Sequence, residues 1–460
     1  MPNNTEPGPQ TVWLDLSLAQ QAIWLDAKIS GESLYQLGGW VRVAGHLDAA
    51  AVRQSISLIM ARHDALRLRV DDQKPRQWLS ASVEPPCSVL QLDPPPGVSP
   101  DDAFHTHANA WFQSPLPWGD HPLFRMQLVF IGSNLSYLLW RFHHLLADSN
   151  STTITIRHWA EAYLALTSDE PPQLAPRSSY LAIVDSDTQY LKSPVYQQDL
   201  AYWQSRFDPL PPVLIPATSP QAVATGSGTF YLDWTLDPAT AGTLAVAARA
   251  IDVTPQRALF ALFLVVLARR FHQTDLVAGI AIHRRDRSNQ NLLGLLSGVL
   301  PVRTRLQHSS TLCEVLQRYS AQVDADLRHQ RMPVDKLSRA LNLFRTGRAR
   351  LYEVVLSYIP AVDQQEPTLD GLALSSGVMA LPEASPISLH ITELPQQRGF
   401  AVRLCINPSI VESAQLPALL ATFQSLLATF LQAPNRRIAE LPPEPESRSS
   451  PAIETEDWTI

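Results

Sequence analysis

Cysteine is nearly absent: three residues, Cys87, Cys313 and Cys405, serve a chain of 460. An odd number of distant cysteines without CxxC spacing excludes a disulfide framework and a thiolate zinc site, and points to a reducing compartment. Charge is also scarce. Asp, Glu, Lys and Arg make up 17% of residues, below the roughly 25% usual for globular proteins. The net charge is −7 and no Lys/Arg run exceeds what a solvated helix face carries, so attraction to nucleic acid or anionic lipid is not indicated. Long apolar runs are missing too. The most apolar stretch, "ALFALFLVVLA" at Ala258 to Ala268, falls well short of the roughly 20 residues that span a bilayer. It reads as a buried helix, with Thr254 as N-cap, Pro255 at the first helical position, and Arg269 and Arg270 loading the C-terminal end. The N-terminus has neither a basic start nor an apolar core, so it is not a signal peptide, and a cytoplasmic location is expected.

What is present is a dense run of chemistry, His143-His144-Leu145-Leu146-Ala147-Asp148-Ser149. It follows "LSYLLWRF", which reads as a strand, and precedes "SNSTTITIRHWAEAYLAL", which reads as a helix. The strand end is a rigid place to present imidazole. Strand alternation sends His143 and His144 to opposite faces, and Asp148 falls at the helix N-terminus, where backbone N–H groups and the helix dipole favour a carboxylate. An imidazole with a pKa near 6.5 accepts protons at neutral pH. The other histidines, including His105, His107 and His121, have no spacing that marks a metal site, and none is expected.

Length suits two domains of about 200 residues. The first half mixes strands with helices: "AAAVRQSISLIMARH" places Val52, Ile56, Ile59 and Met60 on one helical face, and Gly132-Ser133-Asn134 predicts a hairpin turn. The second half repeats this grammar and closes with the amphipathic "SAQLPALLATFQSLLATFLQ". The fold class read here is α+β. The expected boundaries are a flexible leader at 1–11, subdomains at 12–179 and 180–440, and a Pro/Glu/Ser-rich linker at 441–460.

Further segments join the double-histidine run in a recognisable order: "LSLAQQAIWL" from Leu16, "RHDALRLRV" from Arg62, "GIAIHRRDR" from Gly279, "GLLSGVLPVR" from Gly294, "HQRMPVDKL" from His329 and "LYEVVLSY" from Leu351. Together they resemble the motifs of condensation domains of nonribosomal peptide synthetases. The resemblance implies a pseudo-dimer of two chloramphenicol-acetyltransferase-like domains with an active-site tunnel between them. It implies amide formation between an acyl thioester donor and the amine of an aminoacyl carrier protein, in the making of an antibiotic or lipopeptide. No cofactor of its own is implied, since the substrates ride on the phosphopantetheine of carrier proteins or on coenzyme A. The implied partners are an acceptor carrier, a donor acyl-CoA or donor carrier, and an adenylation domain adjoining the C-terminal linker.

By the same resemblance His144 is the active-site histidine, as general base or positioning group, and His143 is structural. Asp148 forms a structural salt bridge with Arg285, Arg284 being the second candidate because it stands where the pattern usually has glycine. Ser149, Ser297 and Gly298 are candidate tunnel residues. Two of these depart from the pattern, Ser149 replacing a glycine and Gly298 an asparagine. Arg62, His63 and His329 are read as fold features. The opening "IWLDAKISGESLYQLGGW" resembles starter condensation domains, which makes fatty acyl-CoA the leading donor. The alternatives are an ordinary domain with a carrier-bound donor, an epimerisation domain, and a non-catalytic docking module. Intact His143-His144 speaks against a heterocyclisation domain, and the missing "DFGWG" signature against a plant-type alcohol acyltransferase.

Overall fold

The apolar periodicities become helices and strands in alternation in the computed structural model. Its described residues are 12–30, 35–114, 116–168, 179–215, 229–348, 350–360, 374–378, 385–394 and 399–442. The expected leader at 1–11 and residues 443–460 of the expected linker lie outside them. The chain runs β1 (Leu14–Asp15), α1 (Leu18–Ser30), β2 (Gln36–Ala44), α2 (Ala49–Arg62), β3 (Leu68–Val70), β4 (Arg76–Leu79), β5 (Cys87–Leu92), α3 (Pro100–Gln113), β6 (Phe124–Ile131), β7 (Leu135–His143) and α4 (Ser149–Thr167). It continues with α5 (Leu181–Leu191), α6 (Pro194–Arg206), β8 (Phe230–Leu236), α7 (Pro238–Arg249), α8 (Pro255–Arg270), β9 (Asp275–Ile282) and β10 (Gly298–Arg305). Then follow α9 (Leu312–Leu327), α10 (Val334–Ala340), β11 (Val354–Ile359), β12 (Leu374–Val378), β13 (Ile387–Glu393), β14 (Phe400–Ile406) and α11 (Gln415–Gln432).

Two mixed sheets organise these elements. One has the order β12-β2-β7-β6-β5 and the other β10-β9-β11-β13-β14-β8, with a small β1-β4-β3 sheet beside them. Strands β6 and β7 form the expected hairpin, pairing Ile131 with Leu135 around a turn whose Gly132 takes φ +60°, a conformation glycine adopts without a Cβ penalty. Strand β12 pairs antiparallel with β2, so the first sheet draws on chain from both sides of residue 180. Helix α8 lies in the second core with every residue from Ala258 to Ala268 buried, as a helix apolar all round requires. Its start differs from expectation in one respect: Thr254 occupies the N-cap position, but its side chain makes no capping hydrogen bond. Pro255 supplies the preformed first turn instead.

In the first core α2 packs on α4, and the contact includes two histidines. His63, which ends α2, sets its Nε2 3.0 Å from Nδ1 of His158, the rings stacked at 5.1 Å. Burial pushes both down to about 4, helped by Arg62 at His63 and by the facing His63 at His158. Between pH 6.5 and 4 the unfolded chain therefore binds protons that the folded chain refuses, so this contribution to stability is full above 6.5 and drains away as pH falls. Each histidine is expected to remove on the order of 3 kcal/mol over that window. Melting temperature followed against pH checks it: the acid slope should flatten in His158→Gln, and an unchanged slope would assign it elsewhere.

Candidate active site

The strand read as "LSYLLWRF" is β7, which runs one residue further, to His143, and leaves His144 beyond its end. His143 is its last residue, paired with Gln36, while His144 opens a turn held by the Leu146 N–H on the His143 carbonyl at 2.9 Å. His144 thus lies in the turn, where strand alternation does not set its direction. His143 is buried, its ring edge-on to Trp118 at 5.3 Å. Its Nδ1 accepts the Leu145 N–H at 3.1 Å, which places the ring proton on Nε2. His144 is half-buried, and its own N–H donates to the Tyr35 carbonyl at 2.7 Å. Nδ1 of His144 is sealed from solvent without a standard hydrogen bond. Burial holds the His144 pKa below the ordinary histidine value, outweighing the opposing pull of Asp148 and of nearby backbone in its own turn. The ring is neutral at pH 7.

Asp148 closes the turn and caps α4, and its carboxylate is saturated. Oδ1 accepts from the Ser151 N–H at 2.8 Å, the Ser151 hydroxyl at 2.7 Å and Arg285 at 2.8 Å. Oδ2 accepts the N–H groups of Leu296 and Ser297, both at 3.1 Å. Burial alone would raise this pKa, but the Arg285 charge and the Ser151 hydrogen bonds hold it below the usual carboxylate range. None of these bonds reaches the His144 ring, so the carboxylate is an anchor for the turn.

Arg285 completes the anchor from the segment after β9. It donates to the Leu292 carbonyl at 2.6 Å, to the Asn289 carbonyl at 3.3 Å and to the Ser151 hydroxyl at 2.9 Å besides Asp148. Of the two neighbouring arginines, Arg285 meets Asp148, while Arg284 turns toward Gly298. The segment is held by more than charge: Leu292, Leu293 and Leu296 sit in the core of the first half beside Leu145, Leu146 and Trp159.

Ser149, the first residue of α4, is half-buried and does not need a positive φ, which explains why serine is tolerated there. Its carbonyl accepts the Thr152 hydroxyl at 2.6 Å. Ser297 and Gly298 are half-buried at the start of β10. His63 and His329 lie away from this network, the latter 2.7 Å from Asp199 and stacked on Tyr202.

Four residues of the network escaped the sequence reading. Ser151 bridges Asp148 and Arg285, and its hydroxyl oxygen also lies 2.6 Å from the Gly294 carbonyl oxygen; its signal was its place three residues after an N-cap Asp. Gln20 donates to the Leu145 carbonyl at 3.0 Å and pairs its amide with that of Gln77, which ties the "LSLAQQAIWL" motif to the histidine turn. Tyr180 is wholly buried and donates to the Leu295 carbonyl at 2.8 Å with Ser17 on its hydroxyl. Gly294 takes φ +149°, and a Cβ there would stand 2.0 Å from the Tyr180 ring. Gly294→Ala is therefore expected to cost about 1–3 kcal/mol by overpacking plus backbone strain. Urea denaturation checks this, and a wild-type midpoint would show that the segment relaxes freely.

Among the described residues no helix is long and apolar enough to cross a membrane, and no cluster of His, Cys, Asp or Glu could hold a metal ion. The family model of the condensation domain matches residues 12–449. A linear gramicidin synthase polypeptide of Brevibacillus parabrevis is 26% identical over 455 residues, covering 96% of this chain and 9% of that protein. The isonitrile lipopeptide synthase of Streptomyces coeruleorubidus is 25% identical, covering 94% of this chain and 29% of its own length. The chain thus spans a minor part of these relatives. Among solved structures, the starter condensation domain of rhizomide synthetase RzmA superposes with a TM-score of 0.77 at 21% identity, covering 94% of this chain and 99% of that one. A variant of it in complex with C8-CoA gives 0.80 at 20% identity, covering 94% and 98%.

Proposed function

The chain belongs to the condensation domain family, and we propose that it joins a fatty acyl group from acyl-CoA to the amine of an aminoacyl carrier protein, as a lipopeptide starter step. The observation that carries the reading is a neutral, half-buried His144 on a turn clamped from both halves through Asp148 and Arg285. In the reaction the amine nitrogen attacks the thioester carbonyl carbon, a C–N bond forms, the C–S bond breaks, and the amine proton passes to the departing thiol. A neutral imidazole serves that sequence by accepting or orienting the amine proton. With Nδ1 sealed, Nε2 is the nitrogen left for the amine. His143 holds the turn through its Nδ1, and Ser149, Ser297 and Gly298 line the approach. No resident cofactor is needed, because both reacting groups arrive on phosphopantetheine thiols.

The acyl-CoA donor is supported by the likeness of "IWLDAKISGESLYQLGGW" to starter domains and by the C8-CoA named for a structural neighbour. We place subdomains at 12–179 and 180–440, an adenylation domain beyond the 441–460 linker as a partner, and the whole in the cytoplasm. The test mixes the protein with an aminoacyl carrier and either medium-chain acyl-CoA or an aminoacyl donor carrier, and detects the product by mass. N-acylation from acyl-CoA is expected. Amide formed only from the donor carrier would replace the starter reading with ordinary condensation, and no amide from either would overturn the function.

A further inference from the structure

Arg284 is a half-buried guanidinium that no hydrogen bond of the described residues engages. Its Nε is sealed from solvent, and among the described residues the side chain makes no hydrogen bond and no ion pair. Asp187 is a carboxylate whose field it feels, but that side chain is engaged elsewhere, accepting the Leu18 N–H at 2.8 Å and standing 3.9 Å from Arg331. Arg331 in turn lies over the Tyr190 ring at 4.4 Å. A guanidinium that no protein acceptor engages by hydrogen bond keeps its donors available to an anion that a ligand brings.

The position of the guanidinium says where that ligand comes from. A Cβ on Gly298 would stand 2.8 Å from one terminal nitrogen of Arg284, 2.9 Å from Cζ and 3.1 Å from Nε. Glycine at 298 leaves room for the group where it stands, and a Cβ there would displace it. Gly298 directly follows Ser297, whose N–H is bonded to Asp148, so Arg284 occupies the rim of the histidine turn's own anchor. Residues 284, 297 and 298 are all half-buried and none is closed off entirely.

We propose that Arg284 is a specificity-determining residue that binds an anionic oxygen of the incoming substrate, an inference that rests on the condensation reading above. The forked guanidinium suits a phosphate or a carboxylate. Two sources offer that chemistry: the phosphate of the pantetheine arm, or a carboxylate on the acyl or aminoacyl group.

Binding separates the sources without relying on turnover, so failure here and failure of the condensation reading are distinguishable. Isothermal titration compares 4′-phosphopantetheine with pantetheine, and the N-acetylcysteamine thioester of aspartate with that of asparagine. The wild type is expected to favour the anionic member of one pair by about tenfold, and the pair that shows the preference identifies the source. Arg284→Ala should cut that ratio to within about twofold, and Arg284→Lys should restore part of it. Where Arg284→Ala fails to fold, the comparison of Arg284→Lys and Arg284→Gln carries the test. No preference in either pair for the wild type, or a preference that survives loss of the charge, overturns the proposal.

Discussion

Arg285→Ala is expected to destabilise the folded protein by about 3–5 kcal/mol, because it leaves a buried carboxylate without its cation. The Asp148 and Arg285 side chains are only 2% and 6% exposed, so water cannot take over the lost charge. The Ser151, Leu296 and Ser297 donors remain, which keeps the loss within that range. Its pH dependence is a second signature. In the wild type Asp148 titrates below its unfolded value, so the pair contributes fully above about pH 3.9 and is lost as pH falls through the lower folded value. In the variant burial is the dominant influence and pushes the Asp148 pKa upward, so the deficit is largest near neutrality and shrinks toward acid pH. Chemical denaturation at pH 7 and pH 5 measures both effects. A variant as stable as the wild type at pH 7 would mean that the pair is dispensable and that the three leucines hold the segment alone.

His144→Ala is expected to lower amide formation by on the order of 10²-fold or more, the low end of what a positioned acid–base group contributes. Folding should persist, since the His144 ring makes no standard hydrogen bond through Nδ1 and the turn is held by its backbone and by Asp148. The wild-type rate should fall on an acid limb below pH 6.5, because burial depresses the His144 pKa and only the neutral ring accepts a proton. Loss of this limb in the variant, measured under substrate saturation, ties it to His144. Near-wild-type turnover would assign the proton transfer to another group.

The parts of this arrangement that the sequence showed were local. A strand, a double histidine, a capping aspartate and a helix follow one another along one short stretch of chain, and their periods and cap chemistry are readable in order. The buried α8 was equally plain, being apolar on every face. What lay hidden depends on distance. Tyr180 meets Ser17 across 163 residues and Gln20 meets Gln77 across 57, and a lone Tyr or Gln carries no mark of such a partner. Register was hidden as well. Two adjacent arginines, Arg284 and Arg285, are equivalent in composition, and only the turn after β9 decides which one faces Asp148. The end of β7 at His143 follows from the same limit, since strand alternation gives no signal of where a turn begins.

The central claim is that this chain forms an amide at the His144 turn. Its most direct measurement is the intact mass of an aminoacyl acceptor carrier after a single turnover with wild-type protein and with His144→Ala, both shown to be folded. The wild type should convert the carrier to a species heavier by the donor acyl group, while the variant leaves it unconverted on the same timescale. An unchanged carrier with every donor, or equal conversion by both proteins, would contradict the account.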